Sequence, residues 1–292
     1  MKYLEKYKLR KADVVVEEAS NFPYDMVVVI GTDNFYWKSA RVVIHQVRKY
    51  FGNGTKIIFY DLENIGEKYK EELEGICNIE YRYFNLSRMP EDVRKLKIFS
   101  WKIFMLADVF REYNNIMYMD SSIFIKTNAF YTYFQMMHEK KIVPVHLSGI
   151  TSHGIRFATH PHMYKYIPFD QNIARRQDKM LEANFILMQR TERTKELLKW
   201  AVLCAAVRDC IDPIGAKITC PMPDNKGWIA ACNRQDQSVL NLLVFNLEEE
   251  MNINGPNVLT HFNKEHPKNK KNRHDTRRKQ STKEVITQCK KS

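Results

Sequence analysis

Three aspartates each close an apolar run. Asp33 follows "MVVVIGT", Asp61 follows "KIIFY", and Asp120 follows "NIMYM" and precedes Ser121, Ser122 and a return to apolar residues at Ile123. Burying a carboxylate without a partner costs several kcal/mol. A strand end that opens into a crevice removes that cost, and an acid placed there can hold a metal ion, a ribose hydroxyl or a substrate. It can equally cap the next turn. Asp61 reads best as such a cap. Asp120 reads as functional because of the residues that follow it.

These acids need elements to carry them. Residues 25–34 read as a buried strand. Residues 36–51 carry Ala40, Val43, Ile44, Val47 and Phe51 on one helical face. Residues 56–62 are a second strand, "GEKYKEELEGI" a polar helix, and 79–86 a third, alternating strand. A helix with Phe99, Ile103, Leu106 and Phe110 on one face leads into "NIMYMD". Strands alternating with helices predict an α/β fold, a mostly parallel sheet flanked by helices in a single domain. We expect an N-terminal extension over 1–20, the domain over 21–263, and a basic disordered tail over 264–292.

Several chemistries lack their signatures. After the first strand comes only "GTDN", with no GxGxxG, and neither GxxxxGK[ST] nor GxSxG occurs. No apolar run approaches the ~20 residues of a membrane helix. The basic N-terminus has no apolar segment, so no signal or anchor is visible in the chain. The net charge of +12 is concentrated at the end, where Lys264–Ser292 hold eleven Lys/Arg against three Asp/Glu. Such a tail can bind nucleic acid or another acidic surface, which keeps a basic-tailed nucleic-acid-binding protein as a further alternative, or it can simply be solvated. No aromatic residue interleaves with it, which argues against single-stranded nucleic acid as a partner.

The segment "FSWKIFMLADVFREYNNIMYMDSSIFIKT" resembles the GT-A type of nucleotide-diphospho-sugar transferases, in which an apolar strand ends in Asp-x-Asp after a helix with a basic residue. "LEANFILMQRTERTKELLKWAV", "NRQDQSVLNLLVFN" and "VLTHFN" resemble further elements of glycogenin-like enzymes, in the same order. "WAVLCA … CIDP … C" and "DQSVLN" are similar to an uncharacterised glycosyltransferase-like animal family. Together these cover residues 25–263. The resemblance implies a GT-A-like fold and transfer of a sugar from a nucleotide-sugar donor to a glycan, protein or lipid acceptor. It implies donor binding by Thr32, Asp33, Lys97, Lys102, Asp120, Ser122 and Gln237, and a divalent ion, Mn²⁺ or Mg²⁺, on Asp120 and His261. The chain departs from the pattern at Ser122, where the second acid should be. A hydroxyl is a poor ligand for a hard cation, so a non-catalytic nucleotide- or glycan-binding protein is the alternative.

Charge grows on the leaving diphosphate as the glycosidic bond breaks, so preorganised positive charge is the main help a site can give. With a weakened metal site, Lys102 and Lys97 are expected to share that work. Glu182 and Asp236 are the candidate acceptor-side carboxylates, although Asp236 can equally cap its helix. His153, His160 and His162 can line the acceptor groove or belong only to a loop, and Trp200 and Trp228 read as packing.

Four of six cysteines, Cys204, Cys210, Cys220 and Cys232, fall in a stretch rich in Pro and Gly (Pro213, Gly215, Pro221, Pro223, Gly227). Their spacing is not that of zinc sites. At least one disulfide is expected among them, bracing a loop beside the acceptor site. With the sequons at Asn53 and Asn85 and the lumenal place of most enzymes the chain resembles, this implies the secretory pathway or Golgi lumen.

Overall fold

A computed structural model describes residues 2–15, 25–170, 172–173, 179–221, 229–269, 273–278, 280–281, 286 and 289. Trp228, Pro223 and Gly227 lie outside the described residues.

The sheet has six strands: β1 (Met26–Thr32), β2 (Ile57–Asp61), β3 (Ile79–Tyr83), β4 (Asn115–Met119), β6 (Val145–Leu147) and β7 (Phe185–Gln189). They lie in the order β3-β2-β1-β4-β7-β6. β1 to β4 pair in parallel, and β7 is antiparallel to both of its neighbours. β5 (Ile123–Ile125) leaves the sheet and pairs antiparallel with β8 (His274–Thr276).

The strands alternate faces with period two, and both faces are apolar, as a doubly covered sheet requires. Val27, Val29, Tyr118 and Ile186 face α4 (Ser100–Phe110), α7 (Glu192–Ala205) and α9 (Asp236–Asn254). Val28, Ile30, Met117, Met119 and Leu187 face α2 (Trp37–Phe51) and α5 (Tyr131–His138). The short helices are α1 (Lys2–Lys6), α3 (Glu67–Glu74), α6 (Met163–Tyr166) and α8 (Arg208–Ile211). Phe99, placed in the helix by its spacing, instead precedes α4 with φ +58°, after a 3-10 turn at Leu96–Ile98. The hydrophobic pattern therefore ran one residue past the helix itself.

At the periphery one expectation changes and another holds. The tail after residue 263 is not free where it is described. His266 is fully buried, His274–Thr276 form β8, Ile286 packs under α2's face, and Cys289 bonds to Cys77. Tertiary pairing and a covalent link overcome the low hydrophobicity that suggested disorder. Disulfides do join Cys204 to Cys210 and Cys220 to Cys232. Trp200 is half-exposed on α7, its Nε1–H donating to Glu196.

β8 carries a pH-sensitive contact. His274 is packed edge-on to Phe185, with ring centroids 4.8 Å apart, and beside Ser148. Burial depresses its pKa to about 4. A histidine held neutral in this way contributes stability above its unfolded pKa of about 6.5, and that stability is lost as the pH falls towards 4. We expect hydrogen exchange over 274–276 to accelerate between pH 6.5 and 4, and His274→Phe to flatten that dependence.

Candidate active site at the switch point of the sheet

The chain leaves β1 towards β2 and β3 on one side, and β4 joins β1 on the other. The carboxyl ends of β1 and β4 are therefore the topological switch point, the place where open α/β sheets bind ligands. Ile30 pairs with Met119, so Thr32–Asp33 and Asp120 leave neighbouring strands side by side.

Three side chains from three elements meet behind Asp120. Lys102, in the first turns of α4, is 3% exposed, and its Nζ lies 3.4 Å from Asp120 Oδ1 and 2.8 Å from Asp236 Oδ2. The ammonium also donates to the Ala183 carbonyl at 3.1 Å. Tyr118 donates its hydroxyl to the same Oδ1 of Asp120. Residues i and i−2 of a strand share a face, so β4 presents phenol and carboxylate together. Asp236 opens α9, preceded by Gln235 at φ +46° with no side-chain cap. That unusual backbone delivers the acid to Lys102 and not to the helix amides.

The charge balance follows from this geometry. Burial works against the Lys102 ammonium, but two carboxylates outweigh it, and its pKa is raised. Burial raises the pKa of Asp236 against the pull of Lys102. Burial and the Asp120 charge hold Tyr118 as a phenol, a donor at all physiological pH. One cation serves two carboxylates, and Asp120, the partly exposed member, carries the excess negative charge towards solvent.

Beside this trio lies a cleft of about 470 Å³ lined by Tyr133, Ser148, Glu182, Lys268, Arg273 and His274 among others. Glu182 Oε2 accepts from Asn184 Nδ2 at 2.9 Å and from the Thr276 hydroxyl at 3.3 Å. Asn184 in turn takes the Asp120 backbone N–H on its carbonyl at 2.8 Å, linking cleft and trio. Gly149 leaves room for this carboxylate. It sits at φ +75°, and a Cβ there would lie 2.8 Å from Glu182 Oε2.

The remaining sequence candidates divide. Thr32 is buried at the end of β1, and Asp33 caps the following 3-10 turn by accepting from the Tyr36 N–H at 3.0 Å. Ser122 lies in the turn after Asp120, where its carbonyl accepts from the Arg277 N–H at 2.7 Å. Lys97 is exposed in the turn before α4. Gln237 donates to the Leu181 carbonyl at 2.9 Å and supports the Glu182 segment from behind. Asp61, read as structural, is fully buried and takes the Ile65 N–H and the Tyr81 hydroxyl. His162 pairs with Asp209 at 2.9 Å, and none of His153, His160 and His162 lines the cleft. The described residues of 204–232 do not line it either.

The expected metal centre does not assemble. His261 Nε2 accepts from the Leu147 N–H at 3.1 Å, and Nδ1 lies 2.5 Å from Glu248. Leu147 pairs with Ile186, and Ile186 with Tyr118, so two strand spacings of about 5 Å each separate that backbone from β4. The Leu147 N–H points away from β7, placing His261 beyond the outer edge of the sheet. Asp120 Oδ1 already holds a phenol and faces an ammonium, and Ser122 offers only a hydroxyl. This donor set does not fit a hard divalent cation.

Sequence reading missed Tyr118, Asn184 and Gly149, along with the C-terminal segment over the Asp120 turn. There Gln280 Nε2 donates to the carbonyls of Ser121 and Ile123 at 2.7 and 2.9 Å. The two-residue offset of Tyr118 from Asp120 was the one local signal available; the others depend on long-range pairing.

A family model described as "Protein of unknown function (DUF1647)" matches residues 1–107. No curated protein matches the chain. Solved structures similar to it include glycosyltransferases. The bifunctional glycosyltransferase WbbM in its apo form is 13% identical with a TM-score of 0.44, over 78% of this chain and 39% of that one. The galactosyltransferase LgtC, in complex with donor and acceptor sugar analogues, is 16% identical with a TM-score of 0.41, over 75% and 70%. Mouse xyloside xylosyltransferase 1, apo form, is 10% identical with a TM-score of 0.43, over 77% and 82%. Among the described residues no helix is long and apolar enough to cross a membrane.

Proposed function

We propose that this chain transfers a sugar from a nucleoside-diphosphate donor to an acceptor, with the donor seated over the carboxyl ends of β1 and β4. The observation that carries the reading is Asp120. It lies at the switch point, is fixed by Lys102 and Tyr118, and adjoins a cleft with its own carboxylate, Glu182. Asp33 and Asp120 are suited to ribose and sugar hydroxyls. Lys102, already satisfied by two carboxylates and a carbonyl, positions Asp120 and does not reach the diphosphate. The developing phosphate charge falls to Lys268 and Arg273, the cleft's basic residues. Glu182 is the group placed to take a proton from the acceptor. Three disulfides support an oxidising compartment such as the secretory lumen.

Thermal shift and calorimetry with UDP, GDP and their sugars, each with Mn²⁺ or with EDTA, test the reading. We expect one nucleotide series to stabilise the protein in EDTA, with Arg273→Ala removing the effect. No stabilisation by any nucleotide overturns it. A second reading, binding without transfer, is favoured by Ser122 and by the partners already held on Asp120 Oδ1. Release of free nucleoside diphosphate from the sugar donor that binds decides for the enzyme.

A further inference from the structure

Three buried imidazoles at the β6 edge of the sheet have no part in the site above. His146 lies on β6, and His261 and His266 follow α9; they are 1%, 0% and 0% exposed. Their ring centroids form a nearly equilateral triangle: 4.8 Å between His146 and His261, 4.9 Å between His261 and His266, and 5.1 Å between His146 and His266. One ligating nitrogen of each lies within 4.8 Å of the other two. Both ring nitrogens of His146 and Nε2 of His266 are buried with no hydrogen-bond partner. Buried polar atoms are nearly always paired, so three unpaired nitrogens on two neighbouring rings point to a missing group.

We propose that His146, His261 and His266 bind one divalent transition-metal ion of the zinc and cobalt class. Three imidazoles with an open position for water form a ligand set that such ions favour, whereas Mg²⁺ and Mn²⁺ favour oxygen donors. His261 already has the outer support of a metal-bound histidine: the Glu248 carboxylate sits on its Nδ1 and orients the ring. Its Nε2 turns to the ion by releasing the Leu147 N–H, exchanging one neutral hydrogen bond for a coordinate bond. Lys268, half-buried with its ammonium 4.5 Å from the centre of the Phe262 ring, is the opposing cation.

The proposal does not depend on glycosyl transfer, and its test reads metal, not activity. The full chain is purified without chelator for elemental analysis. It is then stripped and titrated with Co²⁺ while the d–d absorption is followed. We expect one zinc-class ion per chain and an intense tetrahedral Co²⁺ spectrum, displaced by Zn²⁺. His266→Gln loses both, while Asp120→Asn keeps both. Because a core variant can misfold, X-ray absorption on the wild-type protein loaded with zinc gives an independent answer, with three imidazoles expected in the first shell. A metal-free wild type with no Co²⁺ spectrum, an all-oxygen shell, or a spectrum lost in Asp120→Asn and kept in His266→Gln overturns the proposal.

Discussion

Lys102→Met is expected to destabilise the protein by about 3–5 kcal/mol, the range seen when one partner of a buried ion pair is removed. The ammonium is the shared counter-ion of Asp120 and Asp236, and it also satisfies the Ala183 carbonyl. Methionine fills the volume but leaves Asp236 buried without a cation. The loss is read as a lower urea midpoint at unchanged slope. Adding Asp236→Asn recovers much of it, because the uncompensated charge is then gone. The single variant also acquires a distinct pH profile. Without Lys102, burial drives the Asp236 pKa further up, so the folded state binds a proton that the unfolded state releases. Stability of Lys102→Met therefore rises as the pH falls towards the acid range, relative to wild type. A change below about 1 kcal/mol would mean that the trio is more solvated than its burial indicates.

Removing the Cys77–Cys289 disulfide is expected to cost about 5 kcal/mol on the chain-entropy account, since the bridge spans 212 residues. Cys204–Cys210 spans only 6, and its removal should cost about half as much. The long bridge also ties down the segment whose Arg277 and Gln280 cover the turn after Asp120. Cys289→Ser should therefore lower the urea midpoint and speed proteolysis after residue 270, while the paired substitution Cys204→Ser, Cys210→Ser leaves that cleavage unchanged. Mass spectrometry of unreduced protein from a secretory host should find no alkylatable thiol. Free Cys77 and Cys289 there would remove the prediction.

The order of strands and helices up to Asp120 was legible because each element carries its own hydrophobic period and its own breaks. So was the helix from Asp236, and so was the presence of a disulfide among the cysteines of 204–232, though not which of them pair. The placement of Asp33, Asp61 and Asp120 at strand ends followed directly from the strands themselves. What each acid does there could not be read locally. A cap for Asp33, a buried anchor for Asp61 and an ion pair for Asp120 differ only in which distant groups approach them. The departure of His261 from Asp120 has the same origin, since it depends on β6 and β7 inserting beside β4, and strand order is a long-range property. Composition made the last 29 residues look solvated because hydrophobic content measures what a segment can bury alone. A partner strand at β5 and a cysteine at position 77, both far away in the chain, supply what that segment lacks.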